Sequence, residues 1–441
     1  MRRLPVLLLT TALVAACGGP LPSASQAPTS APSGSPAADG IELAAAHGVP
    51  HLAGTPADAS SAGAALNAFG LDLYAHVRDG SSNTVVSPAS VALALAMARA
   101  GARGTTASEM DTVLRSLASD GHAGWVASLD GALNARTGSF TDQGGNPQAV
   151  TLRIANASFA QRGLTIAPAY LDALAEEFGA GVRLVDFKRA AKAARAAING
   201  WVAGQTEQRV KELLARGTVD DMTRLVLANA IYLRAAWLTP FEASATEPGA
   251  FHRLGGTAVD VPFMHAGGSL LYAAGTGWQA VQLPYVGGQL AMLVIVPDEL
   301  PAFEPQFDAA RLDAITAALA PREVDLALPR FGAQTSVSLG DALAAMGMPT
   351  AFSARADFSG ITTDEALAIS AVVHQANIDV DEAGTEAAAA TAVVIAGAAA
   401  PSETVTLKVD RPFVFAVRDL ETGAVLFLGR IADASVGAPA S

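Results

Sequence analysis

The chain carries few of the side-chain patterns that support enzyme chemistry. Its seven histidines form no His-Glu-x-x-His pair and no close metal-binding cluster. No Gly-x-Ser-x-Gly elbow or phosphate loop is present, and the partial dinucleotide fingerprint at residues 275–280 precedes a strand-like segment instead of the helix it needs. We therefore predict no enzyme, no metal and no cofactor. A catalytic triad assembled from distant residues is the least favoured alternative.

One segment, residues 382–401, has an unusual composition for a globular protein. Beyond Glu386 its first half contains only small residues. Read with a period of two, Thr385 and Ala387 lie on one face, which has no large side chain that would resist burial in a sheet, and Glu386 points the other way. Because alanine and glycine have weak strand preference, we predict a segment that can move between an exposed loop and a sheet. On this segment alone, an alanine-rich helix or a plain flexible loop is the favoured interpretation.

The elements that position this segment change in type along the chain. Apolar residues at helical spacing dominate the first half, and short alternating or apolar runs dominate the second. We predict helices over residues 64–78, 90–100, 106–116, 168–178 and 190–202 and strands that include 150–159, 225–233, 259–265, 270–274, 290–296, 371–380 and 413–419. This order favours an α+β domain with mainly antiparallel sheets over a doubly wound parallel sheet.

The composition and net charge limit the classes of molecule that the protein can bind. The 441 residues are 51% hydrophobic and 16% charged, which is enough apolar material for a large core. With 28 basic and 41 acidic residues, the formal net charge is −13, so nucleic acids and other polyanions are poor partner candidates.

The N-terminus predicts export. Arg2 and Arg3 precede an apolar run over residues 6–16, which is the length of a signal-peptide core and too short for a membrane span. Small residues then lead to Cys17, the only cysteine, as in a bacterial lipobox; an ordinary secreted chain is the alternative. We predict a signal peptide (1–16), a lipidated Cys17 with a Pro/Ser/Ala-rich tether (17–60), one domain (61–435) and a short tail (436–441). The protein would be extracytoplasmic and would touch the membrane only through its lipid.

Several short motifs together resemble one known family. Residues 381–386 read Asp-Glu-Ala-Gly-Thr-Glu, and four alanines and Thr391 follow; residues 407–415 read Leu-Lys-Val-Asp-Arg-Pro-Phe-Val-Phe. Further pieces follow in order: Ser87-Pro88-x-Ser90, Ile198-Asn199-x-Trp201, Leu227-x-Asn229-Ala230, Leu283-Pro284-Tyr285, Leu328-Pro329-x-Phe331 and Ala356-Asp357-Phe358. The chain resembles the serpins, loop-inserting inhibitors of serine proteases, over nearly the whole domain.

The resemblance implies a serpin-like α+β fold with three β-sheets, about nine helices and an exposed reactive-centre loop. It also implies suicide inhibition: a protease cleaves the loop, forms an acyl-enzyme through its own serine, and is trapped when the loop enters the central sheet. About fifteen inserted residues would span about 50 Å, enough to carry a protease across the molecule.

The resemblance also assigns the loop residues. Counting from Glu382 puts the reactive bond between Ala398 and Ala399, and a small residue there suits elastase-like or subtilisin-like proteases. A trypsin-like target is disfavoured, because residues 387–403 contain no Lys or Arg. The implied hinge comprises Glu382, Gly384, Thr385, Glu386, Ala387, Ala388, Ala389, Ala390 and Thr391. Ala383 replaces a second glutamate common in the family, and the stretch from Ala398 to Pro412 is slightly longer than usual, which blurs the cleavage register.

Two further sites follow from the resemblance. A polar cluster beneath the opening strands, the shutter, would comprise Ser87, Ser90, Asn229 and His374, and Trp237 would lie at the breach, where the loop first enters. The expected protein is a monomer that acts on serine proteases. A non-inhibitory serpin that works as a surface binding or carrier protein is the alternative, and cysteine proteases remain open as targets.

Overall fold

The computed structural model describes residues 40–386 and 404–438. These residues contain nine α-helices: α1 (Pro56–Val77), α2 (Pro88–Gly101), α3 (Gly104–Val113), α4 (Ala123–Asn134), α5 (Pro168–Phe178), α6 (Phe187–Gln205), α7 (Leu300–Phe303), α8 (Ala309–Ala317) and α9 (Gly340–Met346). They also contain seventeen strands: β1 (Glu42–Ala44), β2 (Thr84–Val86), β3 (Gly138–Thr141), β4 (Pro147–Gln161), β5 (Val182–Val185), β6 (Leu225–Ala236), β7 (Glu247–His252), β8 (Ala258–Gly275), β9 (Trp278–Pro284), β10 (Leu290–Pro297), β11 (Ala320–Pro329), β12 (Phe331–Ser338), β13 (Ala371–Val380), β14 (Gly384–Thr385), β15 (Val405–Lys408), β16 (Phe413–Asp419) and β17 (Val425–Ile431).

The strands form two hydrogen-bonded sheets in the described part of the chain. The first, called here the central sheet, has eight strands in the order β1-β5-β4-β6-β14-β13-β12, with β3 paired to β4. The second has nine strands in the order β15-β11-β8-β9-β10-β16-β17-β2, with β7 paired to β8. The α+β class and the helix number agree with the prediction.

The two smaller sheets implied by the resemblance are joined into one. The strands predicted separately at residues 259–265 and 270–274 are parts of a single 18-residue strand, β8. One stretch of β8 pairs with β7 and β11, and its last five residues pair with β9. Because β8 pairs with strands of both groups, the two groups form one continuous hydrogen-bonded sheet.

The central sheet is buried on both faces around β6. Alternate residues of β6 belong to different cores, as the period of two in a strand requires: Leu225, Leu227, Ile231 and Leu233 pack in the large core that includes α2, whereas Val226, Ala228 and Ala230 pack in a second core beneath α6. We call the α6 side the outer face. Its apolar cover continues onto β13 at Ala371 and Val373.

The N-terminal tether predicted for residues 17–60 ends earlier than expected. Strand β1 pairs antiparallel with β5, and α1 begins at Pro56, where the Thr55 side chain accepts a hydrogen bond from the Asp58 amide. Pro and Ala suggested a linker, but Pro56 lies at the first helical position, where a missing N–H costs no hydrogen bond. No helix within residues 40–386 and 404–438 has the length and apolar character needed to cross a membrane.

Candidate functional site

The central sheet contains a seam between β6 and β13. The two strands pair directly in parallel from Ala371 opposite Val226 to Gln375 opposite Ala230. Beyond this ladder β14 lies between them: Thr385 pairs with Val380 of β13 and with Ala235 of β6. The hinge therefore already contributes two residues of strand at one end of the seam.

Gly384 allows this close approach. Its φ is +152°, and a Cβ at this position would lie 2.2 Å from the carbonyl oxygen of Ala235. No side chain fits in that distance without moving the backbone of β6. The glycine of the hinge motif is therefore a steric requirement of β14.

Thr385 anchors the predicted hinge beside Trp237, the residue predicted for the breach. Its side chain is fully buried, and its hydroxyl lies 2.6 Å from the hydroxyl of Tyr285. The Tyr285 ring stacks on Trp237 at a centroid distance of 4.5 Å, and the Trp237 indole N–H donates to the carbonyl oxygen of Asp381 at 3.0 Å. Trp237, predicted for the breach, thus holds both the start of the hinge and the ring that binds Thr385.

A partly buried ion pair holds the first residue of the predicted hinge. Arg330 Nε donates to both carboxylate oxygens of Glu382, at 2.8 and 2.9 Å, and the Thr246 hydroxyl also donates to Glu382. Burial alone would raise the pKa of Glu382, but the hydrogen bonds from Arg330 and Thr246 outweigh it and lower the pKa. Arg330 could not be predicted as the partner of Glu382, because the two residues are 52 positions apart in the chain.

Glu386 differs from the sequence expectation. The period of two pointed it away from Thr385 and into solvent, but its side chain is only 4% exposed and pairs with Arg209 at 3.2 Å. Its φ is +50°, so the extended backbone on which the alternation depends ends here. Burial raises the pKa of Glu386 to about 7, against the attraction of Arg209.

Three of the four shutter residues lie together across the seam. His374 Nδ1 donates to Asn229 Oδ1 at 2.5 Å, and His374 Nε2 accepts from the Ser87 amide at 3.0 Å. Because Nε2 accepts, the proton of the neutral ring is on Nδ1. Burial lowers the pKa of His374 to about 3. The hydrogen bond to Asn229 therefore joins β13 to β6 near the end of their direct ladder.

Ser90 reaches a residue that the sequence reading missed. Its hydroxyl donates to Asn156 Oδ1 of β4 at 3.1 Å, and its amide donates to the Ser87 hydroxyl at 3.2 Å as part of the N-cap of α2. Asn156 stands opposite Asn229 in the β4–β6 ladder, so one polar row crosses three strands. Recognising this row needs the register of both strand pairs, which the sequence alone does not give.

Several predicted residues lie outside the described residues. These are Cys17, Ala398, Ala399 and the distal hinge at Ala387, Ala388, Ala389, Ala390 and Thr391. Within residues 40–386 and 404–438, no group of three or more His, Cys, Asp or Glu side chains could hold a metal ion.

Comparison with known proteins identifies the family. The family model described as "Serpin (serine protease inhibitor)" matches residues 64–434. The chain belongs to the serpin family. An uncharacterized serpin-like protein of Thermococcus kodakarensis is 40% identical over 371 residues, covering 83% of this chain and 84% of the relative. The leukocyte elastase inhibitor of Bos taurus is 35% identical over 381 residues, covering 83% of this chain and 98% of the inhibitor. The serpin chain therefore belongs to a family whose members include named inhibitors, and it is not an enzyme.

Solved serpin structures share the fold. The thermophilic serpin tengpin in its native state has a TM-score of 0.77 at 24% identity, covering 87% of this chain and 97% of tengpin. Thyroxine-binding globulin in complex with thyroxine has a TM-score of 0.73 at 26% identity, covering 85% of this chain and 99% of that structure. The central sheet and its seam are thus parts of a serpin fold.

Proposed function

We propose that this serpin is a suicide-type inhibitor of serine proteases that prefer small residues, such as elastase-like or subtilisin-like enzymes. The protease would cleave between Ala398 and Ala399 and remain bound as an acyl-enzyme. The cleaved loop would then enter the central sheet between β6 and β13 and carry the protease with it. No group other than the protease serine would form a covalent bond to the loop.

The observation that carries this proposal is the docked hinge. Gly384 and Thr385 already pair with both strands at one end of the seam, so insertion can continue from an existing strand instead of starting anew. The next residues toward Ala390 are small, and inward-facing alanines need no space to be cleared. Both features favour fast insertion over release of the protease.

The seam must open for insertion, and its polar bond supports such an opening. Continuing β14 requires separation of the five residue pairs that join β6 to β13, including the His374–Asn229 bond. Asn229 Nδ2 is buried and has no partner among the described residues. A strand inserted beside it would supply backbone carbonyls, so the polar groups need not stay unsatisfied when the seam separates.

The direct test is covalent trapping. Purified protein is mixed with pancreatic elastase and, separately, with subtilisin, and the products are run on denaturing gels. A band at the summed mass that survives heat and SDS is the expected result. A chain that both proteases only cut, without such a band and without a large rise in melting temperature after the cut, would contradict the proposal.

The melting temperature of the cleaved protein separates two causes of a missing band. A large rise would mean that the loop inserts and that the protease tested deacylates too fast. Cysteine proteases would then be the next targets to assay. No rise would mean that the loop does not insert.

A carrier function is the second candidate. The similarity to thyroxine-binding globulin, at 26% identity, favours a binding role. The hinge argues against it, because bulky or charged inward residues are the expected block to insertion and Thr385 is small. Cleavage without insertion would favour the carrier.

We also propose that Cys17 is lipidated, that residues from 18 to about 40 tether the domain to the outer face of the cell, and that the domain is a monomer. The basis is the position of the only cysteine directly after Val14-Ala15-Ala16. Mass spectrometry of the mature N-terminus tests it. A first residue other than Cys17, or an unmodified Cys17, would refute lipidation.

A further inference from the structure

A polar cavity of about 640 Å³ lies on the outer face of the central sheet, beyond the end of α6. One wall is the segment 208–212, which follows α6. The other wall is formed by side chains of β12 and β13: Gln334, Ser336, Gln375, Asn377 and Asp379. The volume is in the range of small-molecule sites. None of the hinge, breach or shutter residues lines the cavity.

The outer face of β13 changes character at this cavity. Ala371 and Val373 pack beneath α6, and the following residues with the same orientation are Gln375, Asn377 and Asp379. Strand pairing sets Ser336 opposite Gln375 and Gln334 opposite Asn377. Gln334 and Ser336 are exposed at the rim of the open cavity, whereas Asn377 and Asp379 are half-buried and Gln375 is buried at its floor.

One buried side-chain oxygen in the row, on Asn377, has no hydrogen-bond partner among the described residues. Gln375 is 5% exposed, although its long amide side chain forms no hydrogen bond with another described residue. Buried amide oxygens in folded proteins are nearly always hydrogen-bonded, so the Asn377 oxygen points to a bound polar molecule or to water, and the Gln375 amide is accessible to the same molecule.

The charges of the cavity define what it can bind. Lys211 and Asp379 line opposite walls, and neither forms an ion pair with a described residue. Arg209 pairs with Glu386 at 3.2 Å and also attracts the Asp379 carboxylate, and Arg195, beside the cavity, pairs with Glu212 at 2.8 Å. Lys211 and Asp379 therefore remain as the cation and the anion of the cavity that have no ion-pair partner within 4 Å among the described residues. The free acceptor of Asn377 lies two residues from Asp379, about 7 Å away on the same face, so the acceptors gather on the β13 wall.

We propose that this cavity binds a small zwitterion that carries an ammonium group, a carboxylate and an amide, that is, a short peptide or an amide-bearing amino acid. The ammonium donates to Asp379 and Asn377, and the carboxylate binds Lys211. The amide bonds Gln375 and its neighbours. The ligand would link the segment before β6 to β13 without any covalent step. The proposal does not depend on the inhibitory function.

The test uses the dipeptide Ala-Gln with the intact chain. Isothermal titration calorimetry compares Ala-Gln with N-acetyl-Ala-Gln, which lacks the ammonium, and with the C-terminal amide Ala-Gln-NH₂, which lacks the carboxylate. We expect saturable binding of Ala-Gln and at least about tenfold weaker binding of each blocked form, because each loses one charged partner. Absence of saturable binding up to about 10 mM would overturn the proposal and leave a water-filled cavity. Equal binding of the three forms would also overturn it.

Two charge-removing variants test which cavity residue binds the ammonium of the peptide and which binds its carboxylate. Asp379→Asn should abolish the difference between Ala-Gln and its N-acetyl form, and Lys211→Gln should abolish the difference between Ala-Gln and its amide. Asp221→Asn and Lys192→Gln change exposed residues outside the cavity and should leave both differences intact. If the cavity variants bind all forms as the wild type does, the assignment is wrong. The blocked peptides test the wild-type chain, so an unstable variant leaves the result decisive.

Discussion

Thr385→Arg tests whether the hinge enters the sheet as the proposed mechanism requires. Thr385 is 1% exposed and bonded to Tyr285. An arginine docked there would bring a guanidinium into the sheet without a partner, because Glu382 is held by Arg330 and the Glu386 carboxylate by Arg209. Burying a charge that is not paired costs several kcal/mol, so the substituted hinge should stay outside the seam.

The expected effect on inhibition follows from this cost. If about 3 kcal/mol of it appears in the barrier to insertion, insertion slows about 150-fold. Deacylation of the protease does not involve the hinge and keeps its rate. An inhibitor that traps most of its target would then trap only a few per cent, and the rest would be released as cleaved protein.

The assay measures covalent complex at equimolar inhibitor, with whichever protease forms the band with the wild type. Thr385→Val is the matched control: it keeps the size, replaces the hydroxyl that bonds Tyr285 with a methyl group and adds no charge, so its complex yield should stay near that of the wild type. After cleavage, the rise in melting temperature should develop far more slowly in the arginine variant than in the valine variant. An arginine variant with unchanged complex yield would refute the reasoning, because the hinge could then not be entering a closed sheet.

Three further predictions concern the docked hinge. Arg330→Met should lower the free energy of unfolding by about 1.5–3 kcal/mol in urea titrations, because it leaves the partly buried Glu382 carboxylate without its charged hydrogen-bond donor; a double variant with Glu382→Gln should recover much of this, and a loss below about 1 kcal/mol for the single variant would contradict the pair's role. Gly384→Ala should speed hydrogen exchange over residues 384–386, because its methyl group meets the Ala235 carbonyl at 2.2 Å; unchanged exchange would count against the close fit. Since burial raises the pKa of Glu386 to about 7, its contribution to docking is present at low pH and is lost as the pH rises to about 7, so exchange corrected for its intrinsic rate should be faster at about pH 8 than at about pH 5. Glu386→Gln should remove this pH dependence, and a wild type without it would show that the carboxyl does not titrate there.

The sequence alone was sufficient to predict features that depend on local residue pattern. The helix and strand types, the α+β class and the family follow from apolar spacing and from short motifs such as the one around Gly384. Gly384 shows why the motif works: the close approach to Ala235 admits no other residue. In such cases the residue type alone indicates the local backbone geometry.

The errors share a physical cause, which is that they depend on contacts or backbone angles that a single sequence does not encode. The outward position of Glu386 assumed extended backbone, and its positive φ ends that assumption. Asn156 and Arg330 became visible only through strand register and tertiary contact. The tether was predicted too long, because proline is common both in linkers and at the first position of a helix, where Pro56 lies.

The closed seam is stabilised incompletely, and this bears on how it can open. The His374–Asn229 bond joins two fully buried side chains, and the ring is kept neutral by burial, so the bond has no charge to strengthen it. Asn229 Nδ2 is left without a partner among the described residues, and an unsatisfied buried donor costs about 1–3 kcal/mol. A pair of apolar side chains would avoid this cost and would close the seam more firmly, but it would have no use for the backbone groups of an incoming strand. In the proposed mechanism, the polar pair therefore lowers the stability of the closed sheet and favours the inserted one. The rise in melting temperature after loop cleavage measures the whole difference in stability between the closed and the inserted sheet. The His374–Asn229 pair contributes to that difference.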